Sequence, residues 1–156
     1  MEFDAGAAIF AGIMGGIIMA PILYMGIAMM PRQMKMTLFL MLGTMTVKDT
    51  KMAYAAGAMM HIGMSVVFGL IHVALYEAFG LESALVAWGV LFGLGRRAVS
   101  GMGSGMVPMM HPLIRSGQMD APGAVAMSYP AMTAMGFLML HVLFGVLVGA
   151  FYTALI

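Results

Sequence analysis

Four histidines, an arginine pair and a large stock of methionine are the residues of this chain that could do chemistry. His61 and His141 stand in matching surroundings: Met59 comes two residues before the first and Met139 two before the second. Two imidazoles facing each other inside a helical bundle could ligate a b-type haem axially or share a metal ion. The plainer reading has each hydrogen-bonded to a carbonyl or hydroxyl of a neighbouring helix. His72 follows His61 by 11 residues, which on a helix is about 20° from the same face and about 16 Å along it. Its counterpart in the other half is Tyr152, so a second paired site would lack one ligand.

The 23 methionines raise a Cu(I) reading, because thioether sulfur is a soft ligand. Helical geometry restrains it. Residues two apart point about 160° away from each other, so Met59 and Met139 face away from His61 and His141. Met132, Met135 and Met139 form a stripe, as do Met52 and Met59, and neither stripe lies on a histidine face. Met64, three residues after His61, is the one helical neighbour. The densest soft cluster is Met109-Met110-His111, with Met102 and Met106 just ahead of it. Methionine is also a flexible apolar filler at helix contacts, and packing is the alternative role for all of these.

Arg96 and Arg97 fall near the middle of an apolar stretch. Each would cost about 2.5–3.5 kcal/mol at the centre of a membrane span. No carboxylate lies in the middle of any apolar segment to pair with them. Carbonyls, an anionic lipid, haem propionates, an anionic substrate or snorkelling would have to serve. The glycine-rich Gly101-Met-Gly-Ser-Gly105 follows and should weaken a helix by about 1 kcal/mol per Gly relative to Ala. An unwound segment beside a charge is one way transporters build a midplane site. The other reading ends the helix near Arg97, although Leu81–Gly95 is only 15 residues, short for a full crossing. With no cysteine, disulfides and thiolate chemistry are excluded. No nucleotide loop, triad, acidic pair or zinc motif is present. Ser65, Ser100 and Ser104 show no base partner in the sequence, so a conventional hydrolase is not expected.

The elements that must position these residues follow from composition. Of 156 residues, 63% are hydrophobic and 21 more are glycine, while only 8% are charged. Mean hydropathy is +1.02. An ordinary soluble domain carries about 25% charged residues, and this chain has no polar coat to build. Soluble enzymes, nucleic-acid binders and disordered proteins are set aside, leaving an integral membrane protein. Four segments are long and apolar enough to span, at about 20 residues each: about Ala5 to Met30, Ala53 to Phe79, Ser83 to Val107 and Met132 to Ile156. Backbone in lipid must satisfy its own hydrogen bonds, so these are read as helices. Within the first connection, about 31–52, Met36 to Met45 reads as a short interfacial or re-entrant helix. The second connection, about 108–131, carries Pro108, Pro112, Pro122, Pro130, Gly117 and Gly123 and reads as loop. A tight turn is expected around Gly80-Leu81-Glu82.

Orientation follows from charge. Arg32, Lys35, Lys48, Lys51 and Arg115 all fall in the two long connections, whereas Glu2, Asp4, Glu77 and Glu82 fall at the other end without a Lys or Arg. The positive-inside rule puts the long loops in the cytoplasm and both termini outside. The acidic start is unlike a signal peptide, and cleavage is not expected.

The chain partly matches itself. A shift of 80 residues pairs Met52 with Met132, His61 with His141, Gly69 with Gly149 and Leu75 with Leu155; a shift of 77 pairs Gly12 and Gly16 with Gly89 and Gly93. Two tandem hairpins, about 5–79 and 83–156, would form a bundle with a pseudo-twofold axis along the membrane normal. Gly12/Gly16, Gly89/Gly93 and Gly145/Gly149 have Gly-x-x-x-Gly spacing, which suits close helix contacts within the bundle or in a dimer. The Met41-Leu-Gly-Thr-Met45 stretch, the segment His61 to Tyr76 with Phe68-Gly-Leu-Ile71 at its centre, and His141-Val-Leu-Phe-Gly145 resemble an uncharacterised family of small Met-rich four-helix bacterial membrane proteins. The resemblance implies the fold and a bacterial inner membrane, and no activity.

The expectation is therefore a single all-α membrane domain over 1–156: a four-transmembrane-helix bundle of two tandem hairpins plus a short interfacial helix. The functional expectation is a non-enzymatic packing, accessory or interaction protein with no cofactor. It would partner with the bilayer and a homodimer or larger membrane complex, not with nucleic acid. One alternative is a haem b or Cu(I) bundle. Its candidate cofactor residues are His61, His141, Arg96 and Arg97, and its candidate metal ligands are His61, His141, Met64, His111, Met109 and Met110. Another is an oligomeric small-solute transporter or channel.

Overall fold

A computed structural model describes residues 2–156. Among them the chain forms helices α1 (Ala5–Met29), α2 (Leu38–Gly43), α3 (Thr50–Ala78), α4 (Leu85–Ser104), α5 (Val107–Met110), α6 (Pro112–Arg115) and α7 (Ala131–Leu155), a 3-10 turn at Ala124–Ala126, and no strand. Local sequence explains the boundaries. The Asp4 carboxylate accepts from the Ala7 N–H at 2.9 Å, and the Asp49 carboxylate from the Met52 N–H at 2.9 Å. Each satisfies an otherwise orphaned donor at a helix start. Gly80, at φ +64°, lets α3 stop and reverse. The Tyr76 hydroxyl then donates to Leu85 O at 3.1 Å and closes the α3–α4 turn.

α1, α3 and α7 are long and apolar enough to cross a membrane. α4 has 20 residues, or about 30 Å of helix, but it carries Arg96, Arg97, Ser100 and Ser104 and is not apolar enough to be counted with them. The glycine-rich stretch is not unwound: α4 runs through Gly101 and Gly103 to Ser104. Ser104 Oγ lies 2.7 Å from Gly101 O and 2.8 Å from Gly123 O, which ties this turn to the loop beneath it. Two further boundaries differ from expectation. The Met36–Met45 run is helical only over Leu38–Gly43, and the 108–131 connection contains two single-turn helices and the 3-10 turn rather than loop throughout.

The ends of the bundle are fixed by side-chain bonds. Tyr152 Oη accepts from the Asp4 N–H at 3.0 Å and donates to Glu2 O at 3.3 Å, so the two termini meet. At the opposite end the Thr133 hydroxyl donates to Gln33 O at 2.9 Å. The long connections are joined there too, through His111 Nε2 and Met41 O at 2.9 Å. α1, α3, α4 and α7 therefore run alternately up and down. α1 packs on α3 and α7, and α4 on α7, while α3 and α4 barely touch. α2 lies along the first half of α3, with Gly43 against Ala53 O and Gly57 against Phe39 O.

Glycine makes the long contacts possible. A Cβ on Gly69 would meet Ala8 O at 2.6 Å, and one on Gly149 would meet Leu85 O at 2.5 Å. Gly12 faces Ser65 O, and Gly89 faces Gly145 O. Such approaches permit Cα–H···O contacts and dense van der Waals packing. All six glycines of the three Gly-x-x-x-Gly pairs meet atoms of their own chain. A Gly89→Leu variant should lose at least about 1–3 kcal/mol from overpacking. Gly63 has nothing within 4 Å, so Gly63→Ala should be neutral or stabilising by up to about 1 kcal/mol. Thermal denaturation in detergent checks both.

Candidate functional site

Because α3 and α4 stand apart, a cavity of about 220 Å³ opens between them. α2 and the 3-10 turn border it at one end, and α7 contributes Phe137 and His141. Its polar lining comes from two helical faces. His61 and Ser65 are four residues apart on α3; Arg96, Ser100 and Ser104 succeed one another at four-residue spacing on α4. Helical spacing alone puts each set on one face.

Arg96 projects from α4 between α3 and α7. Its Cζ lies 4.2 Å from the Phe68 ring centroid and 4.1 Å from that of Phe144. Each cation–π contact contributes about 0.5–2 kcal/mol, which offsets part of the cost of burying the charge. The rings do not satisfy its hydrogen bonds: Nε and Nη1 are buried with no partner. Arg97 is buried and differently engaged. Its Nη2 donates to Val125 O at 2.7 Å.

The two histidines bordering the cavity have assignable tautomers. His61 Nε2 is 3.1 Å from Gly16 O and must donate, which leaves the lone pair on Nδ1. His141 Nδ1 is 2.7 Å from Phe137 O and must donate; its Nε2 then accepts from the Ser100 hydroxyl at 2.9 Å. Ser100 thus has the base partner that the sequence did not reveal, because the pair spans two helices and 41 residues. The spacing is that of a nucleophile and base. The group orienting His141, however, is a neutral carbonyl, which cannot stabilise an imidazolium as a triad carboxylate does.

Of the candidate site residues, His61, His141, Arg96, Arg97 and Met64 all border this one cavity. His111, Met109 and Met110 do not assemble into a soft cluster. His111 is fully buried, with Nε2 on Met41 O, and its Nδ1 accepts from the Ile114 N–H at 3.4 Å as the cap of α6. Met109 and Met110 are 72% and 61% exposed. The stripes Met52/Met59 and Met132/Met135/Met139 also face outward. His72 is buried between Phe92 and Phe144, donates from Nδ1 to Phe68 O at 2.8 Å, and leaves Nε2 without a partner. Met19, Met36 and Met41, buried methionines on the cavity wall, were not among the candidate ligands. Among the described residues, no three His, Cys, Asp or Glu side chains converge as a metal site.

A second, open groove of about 460 Å³ runs along α7, and Arg97 and Val125 line it. Val125 sits at φ +56° and Ala126 at φ +61°. A β-branched residue rarely adopts this left-handed conformation. The Arg97 bond to Val125 O holds the strained turn against α4. At the groove's far side Tyr129 donates to Asp120 O at 2.9 Å. Burial, with the Asp120 charge beside it, pushes its phenol above the usual range, so it stays a donor.

Comparison with known protein families, curated proteins and solved structures finds no match. Val125→Gly should stabilise the protein by about 1 kcal/mol through relief of backbone strain. Arg97→Ala should release the turn and speed limited proteolysis between residues 117 and 130. Melting curves and timed digestion in detergent check these outcomes.

Proposed function

We propose that the protein is a four-span bundle of the bacterial inner membrane that acts without catalysis, through binding and partner contact. The observation that carries this reading is the facing of α4. Arg97 is buried and Ser100 and Ser104 border the interior, while Val86, Leu91, Leu94, Val99 and Met102 are exposed. An outer face this apolar suits lipid, although the helix as a whole is less apolar than its neighbours.

Duplication supports the four-span count. Ala8–Gly69 and Leu85–Gly149 are the same contact in the two halves, offset by the 77 and 80 residues that align the sequence with itself. α2 is then the interfacial helix of the first hairpin. Lys and Arg at the end holding the long connections orient those loops to the cytoplasm and both termini outward. The protein would work alone or as a homodimer or accessory subunit.

The geometry weighs against the haem and copper alternatives. A 220 Å³ cavity is smaller than the ~300–1,000 Å³ of sites for drug-sized ligands, and a haem is larger still. Both His141 nitrogens are already bonded. Two guanidinium groups border the same cavity and would oppose a metal cation.

Topology reporters fused at either terminus should read the periplasmic face, and reporters in 31–52 and 108–131 the cytoplasmic face; termini on opposite faces would contradict the span count. The purified protein should show neither a Soret band nor stoichiometric copper. A Soret band lost in both His61→Ala and His141→Ala would instead establish the haem reading.

A further inference from the structure

We propose that the cavity between α3 and α4 binds a small oxyanion taken up from water, a monocarboxylate being the plainest case. The inference rests on α4 lying within the membrane bundle. Two arginines border the cavity, while Glu2, Asp4, Asp49, Glu77, Glu82 and Asp120, all the carboxylates of the chain, are exposed. The interior charge has no protein counter-ion.

Arg96 supplies the recognition. Phe68 and Phe144 lie against its guanidinium, leaving the edge as the part able to bind. Nε and Nη1 are donors with no partner and no accessible surface; a buried donor left unpaired is costly, which favours a side-chain shift that brings them onto an occupant of the cavity. The ligand that matches a planar fork of N–H groups is an oxyanion, bound through charge-assisted hydrogen bonds. A volume of about 220 Å³ admits such an ion but not a lipid's glycerol backbone and chains. Arg97 borders both this cavity and the open groove beside α7, so one cationic side chain links the interior to the outside of the bundle.

The test is isothermal titration calorimetry of the detergent-purified protein with sodium acetate, against acetamide, its neutral isostere. Acetate should bind saturably at one per chain; acetamide, which has the same shape without the charge, should not. Arg96→Met should weaken acetate binding at least tenfold while keeping or raising the melting temperature, because it removes an uncompensated buried charge. If that variant does not fold, Arg96→Lys carries the test, since it keeps the charge and loses the planar fork: tenfold weakening supports the proposal and unchanged binding overturns it. No saturable acetate binding, equal binding of acetamide, undiminished binding by Arg96→Met, or stabilisation by phosphatidylglycerol vesicles alone would each overturn it. Calorimetry reads occupancy and topology mapping reads the span count, so either reading can fail without the other.

Discussion

The Arg96 guanidinium is held between Phe68 and Phe144 in a bundle whose carboxylates are all exposed. That one accommodation governs the arrangement around it. The aromatic rings come from α3 and α7, and the long Arg96 side chain reaches between them across the gap from α4. A cation replaces the small-residue contact seen elsewhere, and α3 and α4 cannot close on each other as α1 and α7 do. The cavity follows from the separation.

The rest of the bundle can tolerate this opening because its other contacts are close. Glycine brings backbone against backbone at Gly12–Ser65, Gly69–Ala8, Gly89–Gly145 and Gly149–Leu85. In a bilayer, whose tails are as apolar as leucine, helices would gain little by hiding side chains, and tight van der Waals contact would supply the association. The polar side chains inside are tied to backbone or to each other, through His61 on Gly16 O, Ser65 on His61 O, His141 on Phe137 O and Ser100 on His141. Arg96 and His72 are the exceptions, with three buried nitrogens unpartnered between them. Most of the interior is thus a packing solution, and its unfinished part lies at the Arg96 edge.

Much of the architecture was legible in the sequence. The apolar run from about Ala5 to Met30 matches α1, the Gly80 turn separates α3 from α4, and the self-match at shifts of 77 and 80 names the residues that make equivalent glycine contacts. These features are local or periodic. What stayed hidden depends on contacts across the chain. Ser100 with His141, Arg97 with Val125 O, and Gly57 with Phe39 O each join residues far apart in sequence. His111 looked like a ligand because it follows two methionines, but its fold position makes it a cap and a tether to α2. The positive φ of Val125 could not be foreseen, since β-branched residues argue against it. Methionine was the least informative residue type: the same flexible apolar chain serves as outer surface at Met59 and as core at Met19.

The proposed topology requires α4 to cross the membrane with its polar face turned inward. The chain has no cysteine, so single-cysteine variants report without background. In intact membranes, Leu94→Cys and Val99→Cys should resist a water-soluble maleimide from both sides. Ser83→Cys should react from the periplasmic side and Gln118→Cys from the cytoplasmic side. Rapid labelling at positions 94 and 99 would place this face of α4 in water and contradict the account at its centre.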